Sequence, residues 1–392
     1  MILYFIIAIL CILFLFMGYI RVKYQFWARQ PVFHYYDFYY WFNNVGVIEP
    51  SLPEKNKYYN YNIVSTNELT TIQTEDAIQF IQSNYITNKD NHANKFAPTI
   101  TEFAPYFTSH NKKCVYSILK EPKLLQENKT TNIVTVDKTI GFITSRPLHV
   151  SITKDLIDFT VYYVDYLCVD KMHRQKGIAP QLIQTHEYNQ RHGEPTIKVS
   201  LFKREDELTG IVPICAYDTY GFSAEKWSVS GLTPVMLKCD KQNIYHLFDF
   251  IQTNKYLFEV TILLEMGPLL ELVTTNNVII YMQMDLASVA IQNVYFFRKS
   301  STYVNDKEEV LACFASINTN NNDFVKGFKT AVCAIQKECP EYKYVSIERI
   351  SHNGDIIDNL IKKTPAQISK TAYFFYNFAY QTFKSDKVLI IN

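Results

Sequence analysis

The segment Val161-Tyr162-Tyr163-Val164-Asp165-Tyr166-Leu167-Cys168-Val169 is β-branched and aromatic, and it runs at once into Asp170-Lys171-Met172-His173-Arg174-Gln175-Lys176-Gly177-Ile178-Ala179-Pro180. The first stretch reads as a strand. The second reads as a basic turn opening a helix over about Ile178–Arg191, with Pro180 in its first turn, where a missing N–H costs nothing. Such a turn presents free backbone N–H groups and the positive helix end to an anion, which is the chemistry of phosphate binding. The alternative is a solvated basic loop that caps an ordinary helix. Cys168 occupies an apolar strand position with no His partner in sequence, so it reads as a core thiol and not as a nucleophile. His173 reads as a surface or phosphate-proximal residue and His186 as a packing side chain. No His pair has metal-ligand spacing.

A second chemical feature is the chain's own end, Val388-Leu389-Ile390-Ile391-Asn392. Four apolar residues at a terminus predict burial, which would carry the α-carboxylate of Asn392 inside with them. A plain edge strand is the alternative.

The elements that would position these groups follow from periodicity. Ala77, Ile78, Ile81 and Tyr85 at helical spacing predict a helix over Glu75–Asn84, followed by a polar loop from Thr87 to Lys95. Strands are expected at Cys114–Leu119, Asn132–Val136, Thr139–Thr144, Thr160–Val169 and Thr196–Phe202. The second half repeats this order in blurred form. A helix is expected near Ile244–Thr253, and strands at Val278–Met284, Val294–Arg298 and Glu309–Ile317. A helix over Phe324–Lys337, a strand at Tyr344–Glu348 and a final aromatic strand at Ala372–Tyr380 complete it. The order is that of an α+β fold with mixed sheets, in two related domains with a boundary near 225–240.

Met1–Ile20 carries no charge, and about 20 apolar residues suffice for a helix to cross the hydrocarbon core. The stretch therefore reads as a transmembrane anchor. A cleaved signal peptide would want a basic start, a shorter apolar run and a small-x-small cleavage site. Arg21, Lys23 and Arg29 follow the span directly, so the positive-inside rule places the body of a single-pass membrane protein on the cytosolic side. The sequon Asn128-Lys129-Thr130 would matter only in the reverse topology. From Lys23 to Pro53 the prolines and turn residues argue for an extended arm.

Composition bounds the rest. The 392 residues hold 39 Lys+Arg against 38 Asp+Glu, and a net charge of +1 gives no global field, so an anionic ligand needs a local cluster. Nothing in the charge balance or motifs suggests nucleic acid, metal or a nucleotide cofactor. Eight cysteines without a C-x-x-C pair read as reduced thiols.

Taken together, several segments resemble the eukaryotic glycylpeptide N-myristoyltransferases, which move a tetradecanoyl group from coenzyme A to an N-terminal glycine and are related to the GNAT acyl-CoA N-acyltransferases. The resemblance rests on the arm Tyr24-Gln25-Phe26-Trp27-Ala28-Arg29-Gln30-Pro31-Val32 and the strand Gly141-Phe142-Ile143-Thr144-Ser145-Arg146-Pro147. It rests also on Asp165-Tyr166-Leu167-Cys168-Val169-Asp170-Lys171, the turn Arg174-x-x-Gly177-x-Ala179, Tyr373-Phe374-Phe375-Tyr376-Asn377-Phe378, and the tail Lys387–Asn392. They stand in the family's order across roughly residues 23–392.

The resemblance implies two tandem GNAT-like domains plus one N-terminal transmembrane helix: an anchor at 1–20, an arm over the acyl-CoA at 21–56, an acyl-CoA domain at 57–230, and at 231–392 a domain holding the peptide site and the catalytic C-terminus. It implies an oxyanion hole from the backbone amides of Tyr166 and Leu167, and the α-carboxylate of Asn392 as the base that deprotonates the glycine amine. Acyl-CoA would be bound by Tyr24, Gln25, Phe26, Trp27, Cys168, Val169, Arg174, Gln175, Lys176, Gly177, Ile178, Ala179 and Pro180. The acceptor peptide would meet Tyr85, Asp90 and Tyr217. Myristoyl-CoA is then a substrate, no separate cofactor or metal is implied, and the partners are proteins with an N-terminal glycine, in lipoprotein biosynthesis.

The sequence also departs from the family. The acidic loop that meets basic substrate residues reads here Tyr85-Ile86-Thr87-Asn88-Lys89-Asp90-Asn91, with Asp90 its one remaining acid. The segment Ile214-Cys215-Ala216-Tyr217-Asp218-Thr219-Tyr220 keeps Cys215 and Tyr217 but lacks the family's Arg and His. Two rival readings follow: a catalytically inactive, membrane-tethered module that binds acyl-CoA or peptide, and a GNAT amine acetyltransferase with a short acyl pocket.

Overall fold

The computed structural model describes residues 2–43, 46–85, 94–126, 133–205, 210–229, 231–285, 287–288, 290–305, 307–319, 323–360 and 365–392. Its helices are α1 (Ile2–Lys23), α2 (Phe38–Phe42), α3 (Thr71–Asn84), α4 (Ile100–Phe103), α5 (Ile178–Gly193), α6 (Ile244–Asn254), α7 (Met266–Thr274), α8 (Phe324–Glu338) and α9 (Asn353–Leu360). Its strands are β1 (Gly46–Val47), β2 (Ile63–Thr66), β3 (Asn94–Phe96), β4 (Val115–Gln126), β5 (Ile133–Ile152), β6 (Ile157–Val169), β7 (Val199–Glu205), β8 (Cys215–Ser223), β9 (Val235–Lys238), β10 (Val260–Leu263), β11 (Val278–Asp285), β12 (Ala290–Val304), β13 (Glu308–Asn318), β14 (Tyr344–Glu348), β15 (Gln367–Tyr376), β16 (Phe378–Ala379) and β17 (Val388–Ile391).

Fifteen of these strands form one mixed sheet, in the path β17-β10-β5-β6-β7-β15-β8-β14-β13-β12-β11-β9 with β4, β2 and β3 added at its sides. The expected duplication is visible in the pairing. Antiparallel β4, β5 and β6 lead through α5 to β7, which lies parallel to β6; antiparallel β11, β12 and β13 lead through α8 to β14, which lies parallel to β13. A right-handed helical crossover is the ordinary way to join parallel neighbours. The halves then exchange strands. β8 follows β7 in the chain but lies between β15 and β14, whereas β15 follows β14 but lies between β7 and β8.

Close packing of α5 on the sheet depends on Gly141. A Cβ there would come within 2.8 Å of Leu182 Cδ1 and 3.4 Å of Ile178 Cγ2. The glycine lets the helix that follows the basic turn lie directly on β5. α3 is fixed at its start by a capping box, in which Gln73 N–H donates to Thr70 Oγ1 at 3.3 Å and Thr70 N–H to Gln73 Oε1 at 3.0 Å. Such a cap stabilises a helix by about 1 kcal/mol. It also starts the helix at Thr71, four residues before the apolar repeat becomes legible.

The arm is not uniformly extended as expected. A 3₁₀ turn at Trp27–Arg29 and the short helix α2 interrupt it. The cause is local: His34 N–H donates to Asp37 Oδ2 at 2.8 Å, turning the chain, and the Phe33 ring packs edge-on against Tyr40 and Trp41. The expected strands at 132–136 and 139–144 are parts of one 20-residue strand, β5, because Asp137 and Lys138 pair with Pro122 and Glu121 on β4 instead of turning. The last aromatic strand breaks at Asn377, whose φ of 65° lies in the left-handed region that asparagine tolerates. The sequon at 128–130 lies outside the described residues.

α1 is 22 residues of mean apolar character, long and apolar enough to cross a membrane, and its apolar span is unburied among the described residues.

Candidate active site

On β5 and β6 the register places Cys168 opposite Phe142 and Asp165 opposite Thr144, so Tyr166 and Leu167 together face the single residue Ile143. This is a β-bulge, which kinks a strand and withdraws its amides from the ladder. Tyr166 has φ 49°, a conformation that a bulky residue adopts only when its surroundings impose it. Those surroundings are visible: the Tyr166 ring sits among Phe103, Tyr85 and Phe107, with centroids at 5.2, 5.7 and 6.4 Å, and Thr144 Oγ1 donates to the Asp165 carbonyl at 3.0 Å. The Tyr166 N–H donates to Asp165 Oδ1 at 2.9 Å. An incoming carbonyl oxygen would therefore have to displace a side-chain carboxylate and not a ladder partner.

Cys168, two residues on, is buried, and burial pushes its thiol up to about 12. Its burial and raised thiol are those of a residue packed in the core. After half-buried Val169, Asp170 ties the turn together by accepting from Lys138 Nζ at 2.6 Å, from Met172 N–H at 2.9 Å and from His173 Nδ1 at 3.0 Å. Burial opposes ionisation of Asp170, but these donors prevail and hold it down to about 2. Gly177, φ 77°, ends the turn in the left-handed region as the residue before α5. Arg174, Gln175, Lys176 and Gly177 are exposed, Ile178 is buried, and Ala179 and Pro180 are half-buried. Arg174 also donates to the Asn84 carbonyl at the end of α3, anchoring the turn to a second element. The expected strand, basic turn and helix are all present.

From that turn α5 leads to a cavity of about 920 Å³ whose wall includes Ile183, His186 and Glu187 of this helix. The cavity takes in both faces of the sheet because the parallel ladder of β6 and β7 covers only Val161–Val164 and Val199–Phe202, although both strands continue. Alternation along the register then sorts the lining. Ile143, Val164, Ser200, Phe202 and Tyr376 share the face of α5 and the arm, where Trp27 stacks on Phe202 at 5.9 Å. Arg146, Tyr163, Asp165, Lys203 and Glu348 share the opposite face.

The α5 face is unexpectedly polar. His186 is hydrogen-bonded through Nδ1 to Ser117 Oγ at 2.8 Å and through Nε2 to Ser145 Oγ at 2.9 Å, and burial drops it to about 3, so the imidazole is neutral. Ser145 donates to Gln190, which in turn donates to Ser200 at 3.0 Å. Glu187 accepts from Ser200 at 3.2 Å; burial raises its carboxyl to about 7 against the pull of Arg191.

The opposite face holds the chain terminus. β17 runs parallel to β10, Leu264 N–H donates to the Ile391 carbonyl at 3.0 Å, and Asn392 is 1% exposed and lines the cavity. Beside it stands a charge cluster. Glu348 accepts from Arg298 Nη2 at 2.7 Å and Lys203 Nζ at 3.1 Å, and the Tyr217 hydroxyl donates to its other oxygen. Burial opposes the charge on Glu348, but Lys203 and Arg298 outweigh it and hold the carboxyl low; Glu348 in turn holds Lys203 high.

Of the residues singled out from sequence, Tyr85, Trp27, Tyr166, Leu167 and Asn392 line the cavity. Phe26 is buried beside it, edge-on to Trp27 and Tyr58, whereas Tyr24 and Gln25 are exposed. Tyr217 is buried with its hydroxyl committed to Glu348, which makes it a support of the charge cluster; Asp90 lies outside the described residues. The cluster of Lys203, Arg298 and Glu348 escaped sequence reasoning because its members come from β7, β12 and β14, up to 145 positions apart.

Residues 43–215 match the family model "Myristoyl-CoA:protein N-myristoyltransferase, N-terminal domain". Three solved structures of Saccharomyces cerevisiae N-myristoyltransferase share the fold at 15% sequence identity. One with bound myristoyl-CoA has a TM-score of 0.71 over 93% of this chain and 91% of that one. Another with myristoyl-CoA has 0.68 over 92% and 94%, and one with myristoyl-CoA and inhibitors has 0.69 over 94% of each. Among curated proteins none matches the chain. Residues 43–215 thus match the N-terminal domain model of the N-myristoyltransferases, and the chain as a whole carries the fold of the N-myristoyltransferase structures.

Proposed function

We propose that the protein transfers a myristoyl group from myristoyl-CoA to the N-terminal glycine amine of target proteins, by direct attack of the amine on the thioester. The observation that carries this reading is the burial of Asn392 in the wall of the cavity that also holds the Tyr166 bulge. Attack on a thioester builds an oxyanion, and a preorganised backbone N–H is worth about 2.7–4 kcal/mol to it. The amides of Tyr166 and Leu167 are the donors, once the Asp165 carboxylate yields its place. The attacking ammonium must lose a proton, and the α-carboxylate of Asn392 takes it. The turn Arg174–Ile178 holds the coenzyme's pyrophosphate, and the acyl chain lies on the α5 face under the aromatic arm. In a domain division at about residue 230, the first part supplies the acyl-CoA site and the second the terminus.

Offering the full-length protein in detergent myristoyl-CoA or acetyl-CoA with glycine-led peptides tests this by mass spectrometry. A 14-carbon adduct on the α-amine is expected. Transfer of acetyl alone would reduce the resemblance to one of fold.

α1 serves in this reading as a membrane anchor with the body on the cytosolic side, as Arg21, Lys23 and Arg29 after the span favour. A single myristoyl chain binds membrane only marginally, so synthesis at the bilayer aids capture of the product. Protection of the body from protease in sealed, cytosol-out vesicles would contradict this orientation.

A further inference from the structure

Arg146 stands on β5 directly opposite Tyr163 of β6 and lines the cavity, yet it is only 1% exposed. Its Nε and Nη1 have no hydrogen-bond partner, and no ion pair joins it to a carboxylate among the described residues. The guanidinium lies over two rings, 5.0 Å from the centroid of Tyr106 and 5.1 Å from that of Tyr163, so it is held in place by faces that attract a cation but do not neutralise it. A buried carboxyl or imidazole escapes such a situation by becoming neutral, as Glu187 and His186 do. A guanidinium has no neutral form to retreat to, and an unpaired buried charge is costly. The arrangement is therefore a buried guanidinium on the cavity wall with no carboxylate partner among the described residues.

Three anions on the page are excluded as the resident partner. The coenzyme's pyrophosphate belongs at the start of α5, on the opposite face: the neighbouring Ser145 points to His186 of α5, so alternation turns Arg146 away from it. The Asp165 carboxylate makes no ion pair with Arg146 and accepts from the Tyr166 N–H at 2.9 Å. No ion pair joins the α-carboxylate of Asn392 to Arg146, and the Asn392 side-chain Oδ1 accepts from Arg298 Nη1 at 3.1 Å.

What remains on this face is the acceptor chain, whose first residues must pass here if its amine is to meet both the bulge and Asn392. We infer that Arg146 is the receptor for an acidic side chain of the acceptor, placed close behind its N-terminal glycine, with the planar guanidinium taking the carboxylate through two parallel N–H donors. This rests on the proposed transfer reaction for the identity of the acceptor and adds to it a sequence preference.

The test compares glycine-led peptides carrying Asp or Glu, in turn, at each of the next few positions with the same peptides carrying Ala. Both kcat/KM and equilibrium binding to the myristoyl-CoA-loaded full-length protein are measured. At one position the acidic peptide should bind and react at least 10-fold better than the alanine peptide. In Arg146→Gln and Arg146→Met that ratio should fall towards one, with Arg146→Lys between. No acidic preference at any position, or a preference that survives Arg146→Met, overturns the inference. Equal losses for acidic and neutral peptides also overturn it, since they would assign Arg146 to the thioester or to the fold. Absence of transfer to every peptide would refute the reaction, and the binding ratios would still decide the role of Arg146. Thermal melting separates a folding defect: removal of an unpaired buried cation should leave the melting temperature of Arg146→Met equal to or above that of the parent, and a large drop would mark Arg146 as structural.

Discussion

Arg298 donates from Nη1 to Asn392 Oδ1 at 3.1 Å, and from Nη2 to Glu348 Oε1 at 2.7 Å. The last side chain of the protein is thus hydrogen-bonded to a guanidinium that is itself fixed by a buried carboxylate on β14, and the terminus is positioned from the middle of the sheet. In the proposed reaction Arg298 positions Asn392. Arg298→Lys keeps a charge but not the two-pronged grip. We expect kcat to fall at least 10-fold while affinity for myristoyl-CoA, read by equilibrium binding, changes little. A parallel loss of myristoyl-CoA affinity would show that Arg298 shapes the cavity instead.

In the proposed reaction Tyr166 acts through its backbone. Its ring is packed, its hydroxyl is held strongly un-ionised by burial, and its φ of 49° sets the bulge. Tyr166→Phe keeps the ring and should leave kcat within about 3-fold of the parent, the scale of a lost weak hydrogen bond. A fall of 100-fold would transfer the role from amide to hydroxyl.

Gly177 and Arg174 can be separated. A Cβ at position 177 meets nothing within 4 Å, so the whole cost of Gly177→Ala is its left-handed φ of 77°, about 1 to 2 kcal/mol. That strain should distort the start of α5 and raise KM for myristoyl-CoA several-fold. Arg174→Ala should raise the same KM and leave kcat on saturating acyl-CoA nearly unchanged, as expected for uniform binding. A fall in kcat with constant KM would contradict the assignment.

Glu187 makes stability depend on pH in an unusual direction. Its carboxyl is raised by burial from 4.5 to about 7, so between these values the folded protein keeps a proton that the unfolded chain has released. Stability from this group is present below about 4.5 and is lost as pH rises towards 7. The shift corresponds to about 3 kcal/mol. Glu187→Gln should be the more stable protein at pH 8 and lose that advantage at pH 4.5, followed by urea denaturation at both values. Equal midpoints at the two pH values would show that Oε1, unpartnered here, is satisfied in solution.

How much of this was legible in the sequence depended on range. The strand before Asp170, the turn, and α5 were readable because Val161–Val169 and Ile178–Arg191 signal through neighbours, and Gly177 and Pro180 punctuate them. Burial of Val388–Ile391 was readable from apolar character alone. Strands β8 and β10 and helices α7 and α9 were missed, because short apolar or mixed runs such as Val260–Leu263 acquire a structure only from their partners. The charge cluster and the isolation of Arg146 were illegible for the same reason. A sequence shows that Lys203, Arg298, Glu348 and Arg146 are charged, but not that three of them meet and the fourth does not. Tyr217 was placed at the peptide because its motif resembles the family's; that its hydroxyl donates to Glu348 is visible only in the structure.

The most direct test of the account is the addition of one alanine after Asn392. It moves the α-carboxylate by about 3.3 Å while keeping every side chain of β17. Misplacement of a reacting group by even 1 Å can cost 10²-fold. Single-turnover transfer from bound myristoyl-CoA to a glycine peptide should therefore fall by at least 10²-fold, with myristoyl-CoA affinity and melting temperature near those of the parent. Transfer at the parent's rate would contradict the role of the chain terminus as the base.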